Sequence, residues 1–194
     1  MRVRHVNRAR AAPSWRSAWM LGLTALAVGV LPAPALGTGE TESSPDPSGT
    51  YRSVAGDHGR SAIEAAVERG IDGLFALARP TARRRLLASN PPVETVVIDV
   101  AADTIRIDLG GARDANLPPA AWRPGRGADG SAVQLRFTLL AQGTLKMESR
   151  AEGGSARHLF TASADGATLR HAVRIESSHL PDDIRYSLDY RRMP

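Results

Sequence analysis

HLFTASADGATLRHAVRIESSHLPDDIRYSLDYRR, residues 158–192, reads as three antiparallel strands joined by two turns. In a strand, alternate side chains point to opposite faces, so an apolar period of two marks a sheet with one dry and one wet side. His158, Phe160 and Ala162 share a face of the first strand. Asp165-Gly166 follows, a tight-turn signal because the turn needs positive φ. In the second strand Leu169, His171, Val173 and Ile175 lie on one face, and Thr168, Arg170, Arg174 and Glu176 on the other. Leu180-Pro181-Asp182-Asp183 turns the chain again. The last strand then points Ile184, Tyr186, Leu188 and Tyr190 inward and Arg185, Ser187, Asp189 and Arg191 outward.

The same period extends upstream. Val96, Ile98 and Val100 alternate, and Ile105, Ile107 and Leu109 return opposite them after Ala101-Ala102-Asp103. Val133, Leu135, Phe137 and Leu139 alternate, Gln142-Gly143 turns, and Leu145 and Met147 return. Segments 110–118 and 124–130 read as loops, with a short strand at Ala120-Ala121-Trp122 between them. Gly49-Thr50-Tyr51 starts a first strand that ends near Val54. Between it and the meander lie two predicted helices, at about 61–78 and 81–88. Ser61 and Glu64 have capping-box spacing, Ile63, Val67, Ile71, Leu74 and Ala78 form an apolar stripe, Pro80 breaks the first helix and Asn90 stops the second. A meander leaves unpaired edges unless it closes. The fold class is therefore mainly β, an antiparallel up-and-down β-barrel of about 8–10 strands with a helix-turn-helix after the first strand.

This order of elements resembles the calycin group, the lipocalins and fatty-acid-binding proteins. The Gly-x-aromatic start at Gly49-Thr50-Tyr51 is lipocalin-like, and a helix-turn-helix lid after the first strand is similar to the fatty-acid-binding proteins. The resemblance covers about residues 49–192 and implies a barrel that holds a small apolar ligand or lipid. The Arg-x-Tyr carboxylate clamp of the fatty-acid-binding proteins does not carry over, because Arg185 and Tyr186 are adjacent and face opposite sides.

Residues 1–37 have the parts of a secretory signal peptide: Arg2, Arg4, Arg8, Arg10 and Arg16 without an acid, an apolar run from Ala18 to Leu31, and a small-residue end. Cleavage after Ala35 or after Gly37 fits. The apolar run is shorter than the ~20 residues a bilayer crossing needs, so no integral span is expected after cleavage. Residues 38–48, TGETESSPDPS, read as a disordered linker and 49–194 as the barrel domain. Five of the 25 basic residues lie in the leader, which leaves 20 against 20 acidic ones. The net charge of +5 thus comes from the leader, and no nucleic-acid partner is expected. There is no cysteine, so disulfides, thiolate metal sites and a lipid-modified cysteine are excluded. A periplasmic or secreted bacterial protein is the expectation.

No catalytic signature is present: no Gly-x-Ser-x-Gly elbow, no His-Glu-x-x-His, no phosphate loop. His158 and His171 fall inward on neighbouring strands and, counted about the Asp165-Gly166 turn, stand nearly opposite. They either face a metal or acidic ligand or are half-buried core residues bonded to tyrosine hydroxyls or backbone. The expected ligand-binding set is Tyr186, Tyr190, His171, His158, Phe160, Phe137, Met147 and Trp122. A mostly apolar wall with a few hydroxyls and imidazoles suits a small-molecule pocket. No cofactor and no metal are expected. The function expected is an exported, non-enzymatic, lipocalin-like protein that binds a small apolar ligand or lipid. The alternative is a structural or partner-binding cell-envelope protein with a dry core, in which the arginine-rich outer face and Arg83-Arg84-Arg85 carry the interaction. A third reading makes His171 a base and Tyr186 an acid at the barrel mouth.

Overall fold

The computed structural model describes residues 45–111 and 114–194. Residues 1–44, which include the leader and most of the expected linker, lie outside the described residues. The elements are β1 (Gly49–Ser53), α1 (Asp57–Ile71), α2 (Arg79–Ser89), β2 (Thr95–Val100), β3 (Ile105–Asp108), β4 (Asp114–Leu117), β5 (Arg123–Arg126), β6 (Ala132–Leu139), β7 (Thr144–Ala151), β8 (Gly154–Ala162), β9 (Thr168–Ser177) and β10 (Ile184–Arg192).

All pairs are antiparallel, and the order across the sheet is β4-β3-β2-β1-β10-β9-β8-β7-β6-β5. Each strand pairs with its sequence neighbour except at one place. β10 returns to β1, with Tyr51 opposite Arg192 and Ser53 opposite Tyr190, and so closes the meander. The seam left open lies between β4 and β5. Both seam strands are four residues long, and β5 carries Pro124. Short edges and a proline limit what can add to an open sheet. The molecule is therefore a nearly closed ten-stranded barrel.

The strands at 158–192 follow the alternation, and Gly166 takes φ 67° in the turn. Upstream, several expectations need correction. Segment 110–118 contains strand β4, segment 124–130 overlaps strand β5, and Ala120–Trp122 is not a strand. Asp-Ala-Asn-Leu offers only Ala115 and Leu117 to the core and Arg-Pro-Gly-Arg offers no apolar period; they form strands by pairing with β3 and β6. The first helix runs 57–71 rather than 61–78. It starts after Gly56, and Ser61 Oγ donates to the Asp57 carbonyl inside the helix, so there is no capping box at Ser61. Pro80 does not break a helix but sits in the first turn of α2, where its missing N–H costs nothing. Asn90 caps α2 as expected, its Nδ2 donating to the Leu86 carbonyl at 2.9 Å.

The end of the polar stretch before β1 is held in place. Tyr51 donates to the Pro47 carbonyl, and Ser48 accepts Arg192 on its carbonyl and the Val100 amide on its hydroxyl.

Helix α1 turns Ile63, Ala66, Val67 and Ile71 into the barrel, where they join Tyr51, Ile98, Ile107, Phe137, Leu145 and Tyr190 in one core. It lies against β10. Gly70 makes this approach possible, because a Cβ there would stand 2.5 Å from Ile184 Cγ1. Gly70→Ala is therefore expected to destabilise the fold by about 1–3 kcal/mol through overpacking. The check is a lowered urea midpoint with an unchanged slope; an unchanged midpoint would show that α1 is seated more loosely.

Candidate functional site at the barrel mouth

Inward side chains shrink toward the β7–β8 turn. Along β8 the inward series runs Phe160, His158, Ala156, Gly154; along β7 it runs Leu145, Met147, Ser149, Ala151. The large members fill the centre: Phe137, Leu145, Met147 and Phe160 are fully buried. The small members leave space, and α2 roofs it. The result is an open pocket of about 640 Å³ with Val133, Ser149, Ala156, His158 and Ile175 in its wall and Ala82, Leu86, Ser89 and Asn90 of α2 above.

Hydrogen bonds fix the roof. Ser89 Oγ donates to Asp129 Oδ2 at 2.9 Å, which ties α2 to the β5–β6 loop. Asp129 also accepts from the Ser131 hydroxyl and amide. These bonds hold its carboxyl below the usual aspartate range, the Ser131 hydroxyl contributing most. Glu68 pairs with Arg83 and joins the two helices, while Arg85 lines the pocket. The Arg83-Arg84-Arg85 run is thus divided between a helix–helix ion pair and the pocket rim. Tyr190 donates to the Val93 carbonyl at 3.1 Å, and the Tyr186 hydroxyl meets Asn90 Oδ1 at 3.4 Å. Burial pushes the Tyr190 hydroxyl well above its ordinary value, with Tyr186 adding to the shift.

His158 and His171 are both buried and bonded to each other, Nδ1 of the first to Nε2 of the second at 2.9 Å. One ring donates and one accepts, so at least one of them is neutral. In the register His158 stands opposite Val173 and His171 opposite Phe160, so the pair is diagonal rather than directly opposed. Phe160 stacks on His171 at 4.3 Å between centroids. The Tyr186 and Tyr190 hydroxyls reach the segment after α2, at Asn90 and Val93. Among the described residues no group of three or more His, Cys, Asp or Glu is placed to hold a metal.

Of the eight residues expected to bind ligand, His158 reaches the pocket wall. His171 lies behind it, and Phe137, Met147, Phe160 and Tyr190 form the packed centre. Tyr186 stands beside the roof through Asn90. Trp122 is outside the barrel, which corrects its place in the lining. The Arg136 and Arg150 guanidiniums lie over its ring, 4.6 and 4.1 Å from its centroid. Both arginines belong to the outward series of β6 and β7, and the indole finds its apolar contact there. Ser149, Ala156, Ile175 and the α2 residues were not expected in the site; the shrinking inward series was the signal for the first two.

No protein-family model matches the chain, and no curated protein is similar to it at a significant level. Similar solved structures include fatty-acid-binding protein 1 of Echinococcus granulosus, with TM-score 0.47 and 13% identity over 76% of this chain and 97% of that one. A secretary abundant heat soluble protein of Ramazzottius varieornatus has TM-score 0.49 and 12% identity over 77% and 97%. Apo lipid binding protein 8 of Caenorhabditis elegans has TM-score 0.46 and 12% identity over 75% and 94%. The likeness to these chains is one of fold.

Proposed function

We propose that this chain is an exported, non-enzymatic binding protein that takes a small apolar ligand or lipid in the pocket between α2 and the barrel. The observation that carries the proposal is the pocket itself. Its volume of about 640 Å³ falls within the roughly 300–1,000 Å³ of small-molecule sites. Its wall combines the aliphatic Leu86, Val133, Ala156, Ile175 and Leu180 with Ser149, His158 and Asn90 as orienting polar groups, and the charged Arg85, Asp129, Arg150, Glu152 and Glu176 also line it. Binding releases water from this apolar surface, at about 25 cal/mol per Å² covered. Export rests on the order of basic, apolar and small residues in the first 37 positions. Among the described residues no helix is long and apolar enough to cross a membrane.

The test is a titration with the neutral fluorescent probe N-phenyl-1-naphthylamine. Saturable binding at one site is expected. Ala156→Phe places a ring in the pocket and is expected to weaken the probe at least tenfold, about 1.4 kcal/mol, with the fold retained. Absence of saturable binding to the parent chain, or equal binding by the variant, would favour the dry-core alternative.

A further inference from the structure

The outer face of β8–β10 has a feature unrelated to the mouth pocket. Arg157, Arg174 and Arg185 stand directly opposite one another on three neighbouring strands. Like charges in this position repel, and sheets ordinarily alternate them. The next row is Leu159, Ala172 and Ser187, and beyond it Arg170 stands opposite Asp189. The small middle residues leave a groove of about 450 Å³ rimmed by Arg157, Arg170, Arg174 and Arg185. Among the described residues no carboxylate lines it.

The neighbouring acids leave this charge incompletely balanced. Asp183 is shared by Arg174 and Arg185, at 2.7 and 2.9 Å, and Glu176 also meets Arg174. Glu148 is shared by Arg136 at 2.6 Å and Lys146 at 3.1 Å, with Arg157 more distant at 3.8 Å. Arg170 donates to the Ser187 hydroxyl at 3.4 Å. The four groove arginines thus share Asp183, Glu176, Glu148 and Asp189 with Arg136 and Lys146.

We propose that this groove binds a small soluble molecule carrying two or more phosphate-type oxyanions, seated over Ala172 between the Arg157–Arg174–Arg185 row and Arg170. Guanidinium forks match such oxygens in geometry. Neighbouring strands set the arginines roughly 4.8 Å apart, which suits linked oxyanions better than a single one. A membrane surface fits poorly: the exposed large apolar residues, Val54, Phe75, Leu77, Leu139 and Leu140, all lie outside the groove.

The test uses inorganic pyrophosphate in isothermal titration at fixed ionic strength, with the full chain. One saturable site is expected. Arg157→Gln and Arg170→Gln, made separately, should each weaken it at least tenfold, whereas Arg60→Gln on α1 should change it less than twofold. The mouth variant Ala156→Phe should leave pyrophosphate binding unchanged, which separates this site from the pocket. Equal weakening by Arg60→Gln would reduce the effect to overall charge and overturn the proposal. So would binding to anionic phosphatidylglycerol vesicles without binding to pyrophosphate, or no saturable binding at all.

Discussion

A chain ended at Pro181 is expected to give no soluble folded protein. The cut removes β10, which pairs along its length with β9 and closes the barrel through β1. Without it the sheet falls into two parts, β1–β4 and β5–β9, and exposes two new edges. The core loses Ile184, Leu188 and Tyr190, and α1 loses the strand against which it is seated. Loss of one such side chain costs about 2–5 kcal/mol, against a total stability of about 5–15 kcal/mol. Expression followed by size-exclusion chromatography and circular dichroism is the check. A monomeric product with a cooperative thermal transition would refute the closed arrangement.

Phe160→Ala is expected to destabilise the protein by about 3–5 kcal/mol, the cost of an aromatic cavity in a packed interior. Phe160 is fully buried and stacks on His171, whose ring is bonded to His158. The deletion removes apolar contacts at the barrel centre and frees the imidazole pair to shift. Urea unfolding measures the first effect, and the histidine ring resonances report the second. Phe160→Leu keeps most of the volume and should lose less than half as much. A loss under 1 kcal/mol for the alanine variant would mean that the centre is not tightly filled.

Much of this was legible in the sequence because most strands bury one face. Leu169 to Ile175 and Ile184 to Tyr190 state their inward sides by period alone, and the return of the last strand to Tyr51 follows from closure. β4 and β5 were not legible, since two apolar residues, Ala115 and Leu117, are too few to show a period and Arg-Pro-Gly-Arg has none. Helix α1 starts earlier than Ser61 because Gly56 and Asp57 begin it without a side-chain cap. Trp122 misleads for a different reason. A large aromatic ring ordinarily goes inside, but Arg136 and Arg150 on the outer face of β6 and β7 give it cation–π partners there. The site was only partly legible. His158 and His171 point inward as their positions require, yet the pocket depends on where inward residues become small and on the placement of α2. The first is written along Phe160, His158, Ala156 and Gly154; the second comes from contacts far apart in the chain, such as Ser89 with Asp129.

The central claim is that the barrel is filled at its centre and open to ligand under α2. Methyl-labelled NMR during titration with N-phenyl-1-naphthylamine tests it most directly. The account predicts saturable shifts at Leu86, Val133, Ile175 and Leu180, which line the mouth, and none at Ile98, Ile105 or Leu145 in the packed core. Shifts centred on those core methyls, or no saturable shift at the mouth, would contradict it.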